Sequence, residues 1–296
     1  MNQRIFLSFV MSLCLGFLFS AKSQSIGTNN HKNLNEPGMN VDEGKLRYQT
    51  PPIDKNVPPV PMPDPTKQVN IPPGFKNQVI IYDTRTGKER IEDLPKGSGA
   101  LSGFVSGRAL RNQVGEPESF NNGLTRIYTT NYPWSAQCKI YMTIKNVRYQ
   151  GSATLIDMKC AITAGHCVHG GKNSSWATNV VVHPRWDGDA DQYGSANGIQ
   201  LLTWTGWSNN SDFNHDMGAI RLDRPVGYLT GWLGYGYNTS NNFYKTTTFN
   251  VAGYPAEGGY AGQPHALYYG YGTFDNVYTY RLYAKTNWPY RIGGMS

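Results

Sequence analysis

The chain has 296 residues, enough for one sizeable domain plus a further segment, and 16% of them are charged against 13% aromatic. With 33 glycines and 18 prolines, this balance points to short strands joined by many turns and excludes a bundle of long helices. The net charge of +7 comes from basic residues interleaved with acids and never forms a basic run, so nucleic acid is not an expected partner.

The first stretch, MNQRIFLSFVMSLCLGFLFSAKSQS, has one early positive charge at Arg4 and an apolar run from Ile5 to Phe19. The small residues Ala21 and Ser23 follow at the spacing of a signal-peptidase site. The run is too short for a stable membrane span, and Leu13 before Cys14 does not suit a lipid anchor. Residues 1–23 are therefore expected to be a signal peptide and the protein to be secreted, with no membrane association after its removal.

Residues 24–113 are rich in proline, glycine and polar residues, as in TPPIDKNVPPVPMPDPTKQVNIPPGF. Such a segment buries too little apolar surface to offset its ordering entropy, and is expected to be largely extended. One piece stands apart: NQVIIYDTRTGKERI reads as two strands around a turn. A linker and a removable pro-segment both fit this composition.

From about residue 120 the pattern is short strands at regular intervals. CKIYMTI and YQGSATLI read as a hairpin, and KCAITAGHCV as a strand running into a tight turn. NVVVHPRW, IQLLTW, MGAIRLD, TFNVAGYP, HALYYGYGTF and YRLYAKT continue the series. The fold class is all-β, a sandwich or barrel.

Three stretches carry chemistry in combination. KCAITAGHCV places His166 at the end of an apolar strand, NHDMGAIRL places Asp216 just before another, and GGMS ends on Ser296. Singly, each has an ordinary explanation: a structural histidine, a strand-start cap, a glycine-serine turn. Together they supply what nucleophilic amide hydrolysis needs, namely a hydroxyl, a base and a carboxylate that fixes the base's tautomer. Gly294, two places before the serine, offers a backbone N–H where an oxyanion develops.

GSATLI…AITAGHC, HDMGAIRL and GGMS resemble the chymotrypsin-like, or trypsin-like, serine endopeptidases. RIYTTNYPWSAQCKIYM, VGYLTGWLGYG and VAGYP are similar to the glutamyl endopeptidase branch of that family, and the resemblance covers residues 114–296. It implies two perpendicular six-stranded antiparallel barrels, with His166 and Asp216 from the first and Ser296 from the second. It assigns His166 as general base and acid, Asp216 as its orienting partner and Ser296 as nucleophile. The N–H groups of Gly294 and Ser296 would form the oxyanion hole. It further implies peptide or protein substrates, a monomer, no cofactor, and a zymogen whose pro-segment an activating protease cuts between Arg108 and Asn121. The family continues past its serine with a glycine, a small residue and a proline, then with strands that close the second barrel and line the specificity pocket. The second barrel is therefore expected to be incomplete and the chain as given to be inactive. A catalytically silent binding protein on the same fold, or an inactive fragment, is the alternative.

Other polar groups have plainer readings. Cys160, His166, Cys167 and His169 cluster in sequence, yet their spacing is not that of a zinc site, so no metal is expected. Of Cys138, Cys160 and Cys167, one at least is unpaired within the chain, and a bond from Cys138 to either of the others fits equally. His183 and His215 are expected at the surface or at strand edges. The three aspartates of WDGDADQYGSANG are expected to lie in a solvated loop rather than to hold calcium. The Asn-x-Ser sequences at 173–175, 209–211 and 238–240 match glycosylation acceptors.

Overall fold

The computed structural model describes residues 57–60, 73–93, 124–188, 191–234, 240–255, 265–277 and 282–283. The expected signal peptide, most of the expected pro-segment, the proposed cleavage region, Gly294 and Ser296 lie outside these residues. The strands are β1 (Val79–Asp83), β2 (Lys88–Glu92), β3 (Thr125–Arg126), β4 (Gln137–Ile144), β5 (Val147–Asp157), β6 (Cys160–Thr163) and β7 (Thr178–Pro184). They continue as β8 (Ala196–Trp204), β9 (Gly218–Leu222), β10 (Phe249–Gly253), β11 (Tyr268–Gly272), β12 (Asn276–Val277) and β13 (Leu282–Tyr283). Three short helices, α1 (Thr205–Asn210), α2 (Gly227–Thr230) and α3 (Asn241–Thr246), fill connections.

Six strands close a barrel in the order β7-β4-β5-β6-β9-β8, with β8 pairing back onto both β9 and β7. All six pairings are antiparallel. The β4–β5 hairpin turns on Lys145 and Asn146, both at positive φ (49° and 63°), the backbone twist that a two-residue hairpin loop demands. Inside lie Cys138, Ile140, Met142, Ala153, Leu155, Val182, Leu201 and Ile220, alternate residues of their strands turned to one face.

β4 is buried along nearly its whole length, not on alternate residues. Its outer face meets β10, where Lys139 lies fully buried against the rings of Tyr141 and Tyr254. Burial pulls the Lys139 ammonium down to about 7. A second, smaller core gathers Ile127, Trp186, Ala252, Tyr254 and Leu267 around the sheet β10-β11-β3. β3, from the start of the barrel region, thus joins the second lobe through β11.

The strand pair read at residues 77–91 is present as β1–β2, turned by Gly87 at φ 68° and by the Asp83 carboxylate, which accepts from the N–H groups of Arg85 and Thr86 at 3.0 Å each. It is not free-standing. β1 pairs with β8 over five residues, along the edge that β7 occupies farther back.

Arg185 ties the strap at 127–130 to the barrel. Its guanidinium donates to the carbonyls of Thr129 and Ile127 at 2.8 Å each and to that of Trp186 at 3.4 Å, with the side chain almost wholly buried. Arg185→Met leaves those carbonyls without their donor. We expect it to lower the unfolding free energy by about 2–4 kcal/mol, read as a lower urea midpoint at unchanged m-value.

Candidate active site

His166 sits on a single 3₁₀ turn, Gly165–Cys167, directly after β6. The turn is held by Cys167 N–H donating to Ala164 O (3.1 Å) and His169 N–H to Gly165 O (2.9 Å). Asp216 sits between the 3₁₀ turn Phe213–His215 and the start of β9. β6 and β9 are neighbours in the barrel, with Thr163 opposite Gly218, and this register brings two residues fifty apart in sequence into contact.

The Asp216 carboxylate holds His166 twice. Oδ2 lies 2.7 Å from the ring Nδ1, and Oδ1 accepts the backbone N–H of His166 at 2.7 Å. Both side chains are buried, 5% and 6% exposed, so the pair is shielded from water and salt. With Nδ1–H donated to the carboxylate, the neutral ring presents Nε2 as a proton acceptor. Trp207 on α1 and the imidazole pack in a T-shaped arrangement, ring centroids 6.3 Å apart.

Burial alone lowers the His166 pKa. The Asp216 charge and hydrogen bond outweigh it, the neighbouring Cys167 sulfur adds to them, and the result lies well above the ordinary imidazole value. A raised folded pKa stabilises the fold. That contribution is full below the unfolded value of about 6.5 and is lost as pH rises through the folded one.

Thr203, on β8, had no signal in the sequence; IQLLTW reads as a core strand. It is fully buried, and its hydroxyl donates to Met217 O at 2.9 Å, fixing the residue that follows Asp216. Gly165 explains itself here. A Cβ at that position would lie 2.9 Å from Thr203 Oγ1 and 3.0 Å from both Asp216 Oδ1 and Met217 N, so only hydrogen fits between the histidine turn and the aspartate.

The other histidines correct or refine the expectations. His183 is not at the surface: it is 2% exposed, and its Nδ1 meets Asp191 Oδ2 at 3.0 Å. Asp191 is accordingly turned inward from the loop expected to be solvated. His215 is only partly exposed and pairs with Asp212 at 2.5 Å. His169 keeps a neutral ring, because Nδ1 accepts from Gly171 N–H at 3.0 Å and burial pulls its pKa down to about 4. Cys138 and Cys167 are both buried free thiols, which removes a disulfide from Cys138 to either neighbour. Among the described residues no group of three or more His, Cys, Asp or Glu is arranged to hold a metal ion.

The family model described as Trypsin matches residues 122–275, just over half of the chain. The chain belongs to the trypsin family. It is 28% identical over 212 residues to a glutamyl endopeptidase of Bacillus licheniformis, a match covering 66% of this chain and 63% of that protein. It is 30% identical over 132 residues to an extracellular metalloprotease of Bacillus subtilis, covering 44% of this chain and 41% of the relative. The chain thus spans less than two thirds of either curated relative. Among solved structures, a Glu endopeptidase in complex with MPD aligns at 21% identity and a TM-score of 0.47, over 59% of this chain and 80% of the other. A thermostable serine protease from an extremophile aligns at 22% and 0.49, over 55% and 77%.

Gly165→Ala tests the geometry of the pair directly. Overpacking at this contact is expected to cost about 1–3 kcal/mol in urea unfolding. It should also loosen the bond between His166 and Asp216, so the His166 pKa falls toward the value burial favours. An NMR titration of the imidazole reads that shift, and an unchanged titration would mean that the turn absorbs the methyl elsewhere.

Proposed function

We propose that the protein is a secreted serine endopeptidase made as a zymogen, with His166, Asp216 and Ser296 as its triad. The observation that carries this reading is the doubly bonded, buried pair of His166 and Asp216, in which Nε2 is the ring nitrogen left to accept a nucleophile's proton once Nδ1 is held by the carboxylate. Membership of the trypsin family supports the reaction class. The leader-like first 23 residues support secretion, as does a relative named an extracellular metalloprotease. The name of the Bacillus licheniformis relative supports cleavage after glutamate.

In this mechanism the Ser296 hydroxyl oxygen attacks the scissile carbonyl while its proton passes to His166 Nε2. The oxyanion is held by the N–H groups of Gly294 and Ser296. His166 then gives the proton to the leaving amine, the C–N bond breaks, and an acyl-enzyme remains. Water, deprotonated by the same nitrogen, releases the acid and restores the serine. Asp216 stays ionised throughout and stabilises the imidazolium by charge and by its fixed bond to Nδ1. The pro-segment is cut between Arg108 and Asn121.

The activated protein should label with a fluorophosphonate probe and lose that label in Ser296→Ala; equal labelling of both would sink the nucleophile assignment. The imidazole must be neutral to accept a proton, and its pKa is raised, so the acid limb of kcat/KM should lie above pH 6.5. Asp216→Asn removes the charge that raises it. We expect the limb to move to lower pH and kcat to fall by about 10⁴-fold. A limb that stays in place would show that another group sets it.

A further inference from the structure

The β1–β2 hairpin lies on the amino-terminal side of the proposed activation cut, yet it is built into the barrel. We propose that the segments 57–60 and 73–93 remain bound to the barrel after activation, in a separate, non-covalently held chain, and that Asn77 and Gln78 in it position Asp216. Only the timing of the cut rests on the function proposed above; the docking and the positioning do not.

The contact is continuous and specific. Val79, Ile80, Ile81, Tyr82 and Asp83 pair in register with Trp204, Thr203, Leu202, Leu201 and Gln200. Val79, Ile80 and Ile81 are buried, as are all of their partners. Beyond the strand, Thr84 N–H donates to Ile199 O at 3.1 Å and its hydroxyl to Gly198 O at 2.9 Å. Tyr82 stacks on Trp176 at 5.3 Å, and the Trp176 indole N–H donates to Glu89 at 2.5 Å. A second anchor lies on β5, where Gln150 N–H donates to Pro58 O at 2.9 Å and the Gln150 amide donates to Val57 O. Val60 there joins the barrel core. Departure of this segment would expose Trp204, Leu202 and Thr203 and leave the β8 edge unpaired.

The far end of the hairpin reaches the aspartate through one glycine. Gln78 and Thr205 exchange backbone and hydroxyl bonds, each at 2.8 Å, and Asn77 Oδ1 accepts from Gly206 N–H at 2.9 Å. On its other side Gly206 touches the His215 ring: a Cβ added there would lie 2.6 Å from His215 Cγ and 3.0 Å from Asn77 Oδ1. Gly206 O accepts from Asp212 N–H at 3.1 Å, and Asp212 binds His215 through both its carbonyl (2.8 Å) and its carboxylate (2.5 Å). His215 directly precedes Asp216. Asn77, Gly206, the Asp212–His215 turn and Asp216 therefore form one packed series.

The test inserts the recognition sequence of a sequence-specific viral protease after Lys96 in the full chain, so the cut does not depend on the protein's own activity. After cleavage, both fragments should co-elute in native size exclusion and separate only in denaturant. An amino-terminal fragment that elutes alone under native conditions overturns the retention. Positioning is read separately by Asn77→Ala in the uncut chain. The His166 imidazole should titrate at lower pH, and in the activated protein kcat should fall about tenfold with KM unchanged. Asn77→Asp, which keeps the acceptor oxygen, should restore both. An imidazole titration unmoved by Asn77→Ala overturns the positioning role even if peptidase activity is absent altogether.

Discussion

Thr203 and Gly218 face each other where β8 meets β9, and on its other side Gly218 faces Thr163 of β6. This three-strand register closes the barrel and places everything else at the site. It sets the end of β6 beside the start of β9, so the histidine turn and the aspartate arrive together. It also buries the Thr203 hydroxyl against Met217 O, which leaves the backbone after Asp216 little freedom. A one-residue slip of β9 would carry Asp216 away and turn its alternate side chains to the wrong face. The close contacts around Gly165 and Gly218 are the cost of bringing three strands this near, and glycine at both positions is what the crowding permits.

The two lobes meet across β4, which explains why that strand is buried on both faces. Cys138, Ile140 and Met142 point into the barrel, while Lys139 and Tyr141 point toward β10 and Tyr254. A lysine at such a contact accepts desolvation in return for two aromatic faces, and its lowered pKa registers the imbalance. Arg185 secures the same boundary by a different route, since its donors take up carbonyls of the strap that leads into the second lobe. The site lies on the barrel, but the barrel is held against its neighbour by two buried basic side chains, Lys139 and Arg185.

Most strands of the barrel were legible because alternation and turn chemistry agree: YMTIKNVRYQ has apolar alternation on both sides of a Lys-Asn turn, and ITAGHC ends a strand on small residues. The hairpin at 77–91 was legible for the same reason. Its docking was not, because pairing between residues more than a hundred apart leaves no periodic trace in either segment. The burial of His183 was missed for a related cause. VVVHPRW carries no alternation that would turn His183 inward, and the groups that cover it, Tyr141 of β4, Trp186 and Asp191, come from other stretches or from beyond the strand. Thr203 was invisible, since a threonine in a strand is compatible with either face.

Three histidine–aspartate pairs occur among the described residues, and sequence alone does not rank them. His215 pairs with Asp212 three residues away, within a single turn, and His183 with Asp191 across one loop. In each of these pairs the partners lie within eight residues of one another, on one turn or on β7 and the loop after it. His166 and Asp216 instead sit at the ends of two different barrel strands, β6 and β9, and the carboxylate binds both the ring and the backbone of its partner. Any tilt of the imidazole must then strain two hydrogen bonds and the strand register behind them. A base that transfers a proton repeatedly gains from such rigidity, because reorganising the site at each transfer would add to the barrier. That distinction, between a pair set by a loop or a single turn and a pair set by the register of the barrel, supports the proposal that His166 is the base.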